Sequence, residues 1–176
     1  MLFNNEFIVN MCIFINYILK LVHQIIAYVL NSLKVLKEVI KMKSKKILSK
    51  ANCLCGEIKI KVLGKLRYVS NCHCSQCMKT HGNFASYTAC DQSKIIFIND
   101  KTLKWYKSSN FAKRGFCSKC GASMFYKINK SNNISIAAGM FEKTTKLKTY
   151  CNIFTQGKMK YYKLDPKLPK FNKGSR

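Results

Sequence analysis

The run Ala51-Asn52-Cys53-Leu54-Cys55-Gly56-Glu57-Ile58-Lys59-Ile60-Lys61-Val62 decides how this chain is read. Its first half sets two cysteines one residue apart and closes on glycine. Its second half alternates, placing Ile58, Ile60 and Val62 on one face of an extended strand. Thiols this close suit a single metal ion, which each sulfur approaches to about 2.3 Å. They suit a disulfide less, because that bond needs Cα atoms roughly 4.4–6.8 Å apart. Glycine after the second cysteine supplies a positive φ where the turn folds its amides toward sulfur. A metal knuckle running into a two-residue period predicts a β domain organised around metal.

The same device returns at Cys117-Ser118-Lys119-Cys120-Gly121. Cys53, Cys55, Cys117 and Cys120 together make four thiolates, the complement of a closed structural zinc site. A third cluster, Cys72-His73-Cys74-Ser75-Gln76-Cys77, holds three thiolates in six residues and is one ligand short. Three sulfurs on a second zinc leave a position for water, a substrate thiol or a fourth side chain. Such an open position can acidify what binds there, which is catalytic chemistry. His73 and His81 are the candidates to close the site; an extended segment would point His73 away from Cys72 and Cys74. Of the other cysteines, Cys12, Cys90 and Cys151 stand outside any motif, and Cys90 and Cys151 read as core. Trp105, Tyr106 and the phenylalanines read as core by the same logic. Arg114, ahead of Phe116 and Cys117, has three open roles: surface charge, partner of a backbone carbonyl, or anchor for a substrate carboxylate.

Strand-like runs continue at Phe84–Ala89, Lys94–Ile98, Leu103–Lys107, Ser123–Ile128, Ile134–Ala138 and Tyr150–Phe154. Asn, Gly, Ser and Asp separate them, and no strong helix falls among them. The expected fold is mostly β, of short antiparallel strands, with an extended tail from about Pro166. Metal-binding spacing rather than a disulfide ladder argues for a reducing, cytoplasmic setting.

Residues 1–41 differ. Phe7, Met11, Ile15, Ile18, Val22, Ile25, Val29, Leu33, Leu36 and Ile40 recur at helical spacing, interrupted by Asn10, Asn16, Lys20, His23, Gln24 and Asn31. Residues 42–50 form a Lys-rich linker to a zinc-binding domain over 51–176. Three readings of the N-terminal segment are open. It is a membrane-associated helix over residues 7–40, with Lys34 to Lys50 on the cytoplasmic side; or a helix packed on the domain or a partner; or sequence upstream of a true start at Met42. The last two are favoured together, because the recognisable domain begins soon after Met42.

The formal charge is +25. Almost all of it is Lys, with Arg67, Arg114 and Arg176 the three arginines, and it is spread along the chain. With no Arg-rich block or aromatic-interleaved basic motif, charge alone argues only non-specific affinity, and a nucleic-acid partner is disfavoured.

The three cysteine motifs, with Arg114-Gly115-Phe116 leading into the last, resemble the glutathione-dependent formaldehyde-activating enzyme family, which includes the centromere protein V relatives. His81-Gly82, Phe84-Ala85-Ser86, Tyr106-Lys107-Ser108-Ser109, Ala138-Gly139 and Leu168-Pro169-Lys170-Phe171 add to it, so the resemblance covers about Ala51 to Phe171. It implies a β-tent fold with two zinc ions. By position Cys53, Cys55, Cys117 and Cys120 take the structural role and Cys72, Cys74 and Cys77 the catalytic one. The implied reaction adds a small thiol, glutathione, to formaldehyde to give S-hydroxymethylglutathione, in reverse a carbon–sulfur lyase. Asn152, where many relatives carry His, and Met140 depart from the pattern and bear on substrate choice more than on fold. The alternative is a zinc-stabilised binding module whose basic surface meets nucleic acid, membrane or protein.

Overall fold

The computed structural model describes residues 5–43 and 49–174, and within the N-terminal helix the side chains of 15, 16 and 18–37. The chain divides into two compact units, 1–46 and 47–176. In the first, helix α1 runs Asn5–Lys43. No glycine or proline interrupts those 39 residues, and a helix interior tolerates neither well.

The second unit is mostly β, with 11 strands in two sheets among the described residues. Three of them, β1 (Ser49–Asn52), β2 (Lys59–Val62) and β5 (Ile95–Asn99), form a small antiparallel sheet. The large sheet takes β3 (Val69–Cys72), β4 (Ala85–Asp91), β6 (Leu103–Lys107), β7 (Ala112–Cys117), β8 (Ser123–Ile128), β9 (Asn133–Ala137), β10 (Thr149–Ile153) and β11 (Lys170–Phe171). Its order is β11-β10-β3-β4-β9-β8-β7-β6.

The core forms between the two sheets. Ile58, Ile60 and Val62 of the opening motif pack in one cluster with Met124, Phe125, Ile134 and Ile136 of the large sheet. The fully buried Cys53 and Cys117 belong to the same cluster. Full burial of a side chain such as Phe125 or Ile136 is worth about 1.5–3 kcal/mol, so these contacts are the main stabilising force. Strand alternation then sets the opposite face of the large sheet. Gly115, Phe125 and Ile136 form one cross-strand row, and Arg114, Tyr126 and Ser135 form the adjacent row. Because neighbours along a strand point to opposite faces, the first row serves the core and the second faces the candidate site.

Four features differ from the sequence expectation. β10 pairs in parallel with both β3 and β11, while the other pairings are antiparallel. β3 and β10 are far enough apart in sequence for the long crossover that parallel pairing requires. The expected extended tail therefore contributes a strand, β11. A second helix, α2 (Ser75–His81), stands where no helix was expected, and ends on Gly82 at φ 81°. Trp105 and Tyr106 are not core: β6 is an edge strand, Trp105 is 37% exposed and Tyr106 65%.

Candidate metal centres

The four cysteines Cys53, Cys55, Cys117 and Cys120 converge, with all their sulfurs within 4.8 Å of one another. Two knuckles of like form bring them together. In the first, the Gly56 amide donates to Cys53 O at 3.0 Å and Gly56 takes φ 74°. In the second, the Gly121 amide donates to Cys117 O at 2.8 Å and Gly121 takes φ 72°. Both glycines thus hold the left-handed conformation that motivated reading them as turn residues. Donors reach the sulfurs as expected for thiolates: the Ile58 amide lies 3.2 Å from Cys53 Sγ, and the Thr102 hydroxyl 3.2 Å from Cys117 Sγ. A Lys119–Glu57 ion pair of 2.7 Å spans the two knuckles.

The separations fit a metal. Cys53 and Cys55 sulfurs are 3.5 Å apart, and Cys55 and Cys117 sulfurs 3.7 Å. Bonds of about 2.3 Å in a tetrahedron set sulfurs about 3.8 Å apart, far beyond a disulfide length of about 2.03–2.05 Å. The protonation pattern also calls for a cation. Burial opposes ionisation of Cys117, but hydrogen bonds from Thr102 and from the Cys120 and Lys119 amides bring it down to about 6. At Cys55 the Glu57 amide favours the thiolate, yet burial and three neighbouring sulfurs push it up to about 12. Four sulfurs this close cannot all ionise without a positive ion among them.

The second cluster is Cys72, Cys74 and Cys77, again with sulfurs within 4.8 Å. Cys72 is the last residue of β3, Cys74 is the N-cap of α2, and Cys77 lies in its first turn. The strand-to-helix corner therefore gathers three ligands that a fully extended chain would scatter. Hydrogen bonding from Cys72, then the Arg114 charge, outweighs burial and brings Cys77 down to about 6. The same bond and burial push Cys72 up.

Neither histidine joins this group. His73 is fully buried behind it, with Nε2 2.9 Å from Asn152 Oδ1 and Nδ1 2.6 Å from the Tyr162 hydroxyl. The His73 amide donates to Ile153 O at 2.9 Å, so the ligand loop is braced against β10. His81 Nε2 meets the Tyr87 hydroxyl at 3.2 Å, and Nδ1 meets Thr80 Oγ1 at 2.8 Å. Burial lowers the pKa of both rings. Asn152 thus lies in the buried bracing network and does not line the cavity beside the cysteines. Cys90 and Cys151 are buried, as core residues should be; the side chain of Cys12 lies outside the described residues.

A cavity of about 570 Å³ opens on the three cysteines and is walled by Arg67, Ser70, Gln76, Tyr87, Arg114, Tyr126 and Phe154. Of the three sequence-based roles Arg114 does not fit surface charge or partner of a backbone carbonyl. Its buried Nε and Nη1 have no hydrogen-bond partner among the described residues and it lines the cavity, so a substrate carboxylate is the role left. It is buried, with Nη2 3.6 Å from Cys77 Sγ and 3.2 Å from Gln76 Oε1, and its guanidinium lies 5.0 Å from the Tyr126 ring centre. Its charge also acts on Cys77. Arg67 is the second arginine of the cavity wall, held through Ser70 Oγ and Tyr87 O at 3.2 Å each. Sequence reasoning missed Arg67, Gln76, Tyr87, Tyr126 and Phe154 as wall residues. Tyr126 reaches the wall through its cross-strand pairing with Arg114, which no local pattern marks, and nothing in sequence marks Phe154, which holds φ 55°.

Comparison with known proteins gives the following likenesses. A Schizosaccharomyces pombe protein named an uncharacterized lyase is 32% identical over 82 residues, 47% of this chain. That match is 59% of the relative, so the chain spans about three fifths of the length of the curated relative it matches. A Rhodobacter sphaeroides protein of known crystal structure aligns with TM-score 0.46 and 18% identity, over 69% of this chain and 98% of its own. Residues 48–157 match the model of the glutathione-dependent formaldehyde-activating enzyme family, and contain both sulfur clusters and the arginines beside the second. The chain belongs to that family.

Proposed function

We propose that this protein is a zinc-dependent carbon–sulfur lyase or synthase that joins a small thiol such as glutathione to formaldehyde, giving S-hydroxymethylglutathione. In this reading Cys53, Cys55, Cys117 and Cys120 hold a structural zinc within a β-tent domain. Cys72, Cys74 and Cys77 hold a second zinc with one position open. A zinc there would act as a Lewis acid and lower the pKa of a bound thiol or water. The observation that carries the proposal is the incomplete sulfur cluster opening on a cavity with cationic and phenolic walls.

The chain's own residues supply the rest. Arg67, fixed by Ser70 and the Tyr87 carbonyl, offers its guanidinium to a carboxylate of the thiol substrate. Arg114 offsets the negative charge of the three thiolates. In the addition a sulfur–carbon bond forms, the carbonyl π pair moves to oxygen, and that oxygen gains the proton the thiol gave up. The Tyr87 hydroxyl, hydrogen-bonded to His81 Nε2, is the wall group placed to pass that proton. Phe154 and Ile153 close an apolar side of the cavity and limit water.

The test is zinc content per chain, with thiol-dependent formaldehyde consumption, for wild type and Cys74→Ser. Expected are two zincs falling to one, a folded product and lost turnover. One zinc in both forms with no thiol chemistry would refute this reading and favour the binding module.

A further inference from the structure

The N-terminal helix carries a pattern that the catalytic reading leaves unused. Between Ile15 and Leu36 every large apolar side chain that the structure describes is 40–75% exposed. At about 100° per residue, Asn16, Lys20, His23, Gln24, Asn31 and Lys34 fall on one narrow stripe, with Ala27 inside it. Apart from Ser32 and, toward its edge, Lys37, the remaining arc of roughly 220° is apolar. Ile18–Lys37 has the length and mean hydropathy of 1.3 that mark a candidate membrane span. At its C-terminal end the sequence adds Lys37, Lys41, Lys43, Lys45, Lys46 and Lys50 against a single acid, Glu38.

Three occupants of this surface can be compared. A second copy of the helix would cover a strip along one side, and a two-helix seam leaves most of a 220° arc in water. A spanning orientation buries Lys20, His23, Gln24 and Asn31 in hydrocarbon, and polar groups there are costly without partners. Lying in the interface satisfies both features: the wide apolar arc enters the acyl region while the polar stripe faces water. The run of lysines selects an anionic surface by charge.

We propose that α1 binds in the plane of an anionic membrane surface, with Ile18, Val22, Ile25, Val29 and Leu36 inserted and Lys34 and Lys37 at the headgroups. This places the sulfur-cluster domain at a lipid surface and is independent of the reaction it catalyses.

The test is flotation of the full chain with vesicles of phosphatidylcholine alone or with about three parts in ten phosphatidylserine. Binding should need the anionic lipid and fall as salt rises. Ile25→Asp with Val29→Asp should lower the bound fraction at least ten-fold on both vesicles. Lys34→Gln with Lys37→Gln should lose on the order of 25-fold on the anionic vesicles only, about five-fold per lysine. Zinc content and the melting of the folded domain, measured alongside, should not change. Alkaline carbonate should strip the wild-type chain from the vesicles. Resistance to that extraction would overturn the in-plane orientation in favour of a span. Self-association abolished by the Asp variants, with no flotation, would overturn the lipid partner in favour of a second copy.

Discussion

Replacing Arg114 with Gln tests the electrostatics of the second cluster most directly. The guanidinium lies 3.6 Å from Cys77 Sγ and is buried, so water screens the pair poorly. At an effective dielectric constant of about 20, unit charges at this distance interact by about 4–5 kcal/mol. A divalent ion held by three thiolates leaves one net negative charge spread over the whole site, which reduces the effective term to about 3 kcal/mol. The empty cluster already keeps about half of that attraction at neutral pH, because Cys77 ionises at about 6 beside the arginine, so about 1.5 kcal/mol falls on the bound state. The expected outcome is a loss on the order of 10-fold in metal affinity at Cys72, Cys74 and Cys77. Arg114→Lys, which keeps the charge but not the planar fork, should recover part of it. Competition against a chromogenic zinc chelator resolves the two sites, with Cys53, Cys55, Cys117 and Cys120 as the internal reference. Unchanged affinity at the second site would refute the argument. Equal weakening at both sites would refute it too, by showing that the substitution acts through folding.

Other outcomes follow from the same geometry. Cys55→Ser, or removal of metal by a strong chelator, should unfold the domain, read as loss of near-ultraviolet circular dichroism, because Cys53 and Cys117 lie in the core. Gly115→Ala should destabilise by about 1–3 kcal/mol in chemical denaturation, since its new Cβ would sit 3.0 Å from the Phe125 ring and 3.1 Å from Trp105. Phe154→Gly should leave stability within about 1 kcal/mol, because relief of the left-handed backbone offsets lost apolar contact. It should raise KM for the thiol substrate by opening the cavity wall, and an unchanged KM would remove Phe154 from the site.

The knuckles were legible because metal ligation needs particular residues at fixed spacing. Cys53-Leu54-Cys55-Gly56 and Cys117-Ser118-Lys119-Cys120-Gly121 state both their ligands and their backbone geometry. Leu103–Lys107 and Ser123–Ile128 were legible residue for residue as β6 and β8, being bounded by turn formers. β1, β3 and β7 were missed: Ser49 and Lys50 were read as the end of the Lys-rich linker, Val69-Ser70-Asn71-Cys72 carries little apolar alternation, and Gly115 interrupts the strand pattern of β7 with a packing requirement instead. α2 was missed because the cysteines drew the reading of a segment whose Gly82 is a recognisable helix stop. The cavity wall was the least legible part. Arg114, Tyr126 and Ser135 meet only through β7–β8–β9 register, and no local pattern encodes which strands lie side by side.

The two sulfur clusters also differ in what they ask of the chain, and this separates their roles. Cys55 and Cys117 are 62 residues apart, whereas Cys72 to Cys77 fits in one corner between a strand and a short helix. By loop-closure entropy, joining the distant pair costs about 2 kcal/mol more than closing a five-residue loop. A metal at the four-cysteine site therefore binds tightly only when the domain is folded, and its binding free energy becomes folding free energy. The local cluster can gather its ligands with far less dependence on the rest of the fold. Its position is instead set from outside: β10 braces the loop behind His73, and β7 supplies Arg114 in front. A metal at the first site would tie the small sheet to the large one, whose order β3-β4-β9-β8-β7 sets Arg114 and Arg67 around the second. Metal occupancy at the second site should consequently depend on the first, while loss of the second leaves the first intact. The Cys55→Ser and Cys74→Ser variants measure that asymmetry in opposite directions.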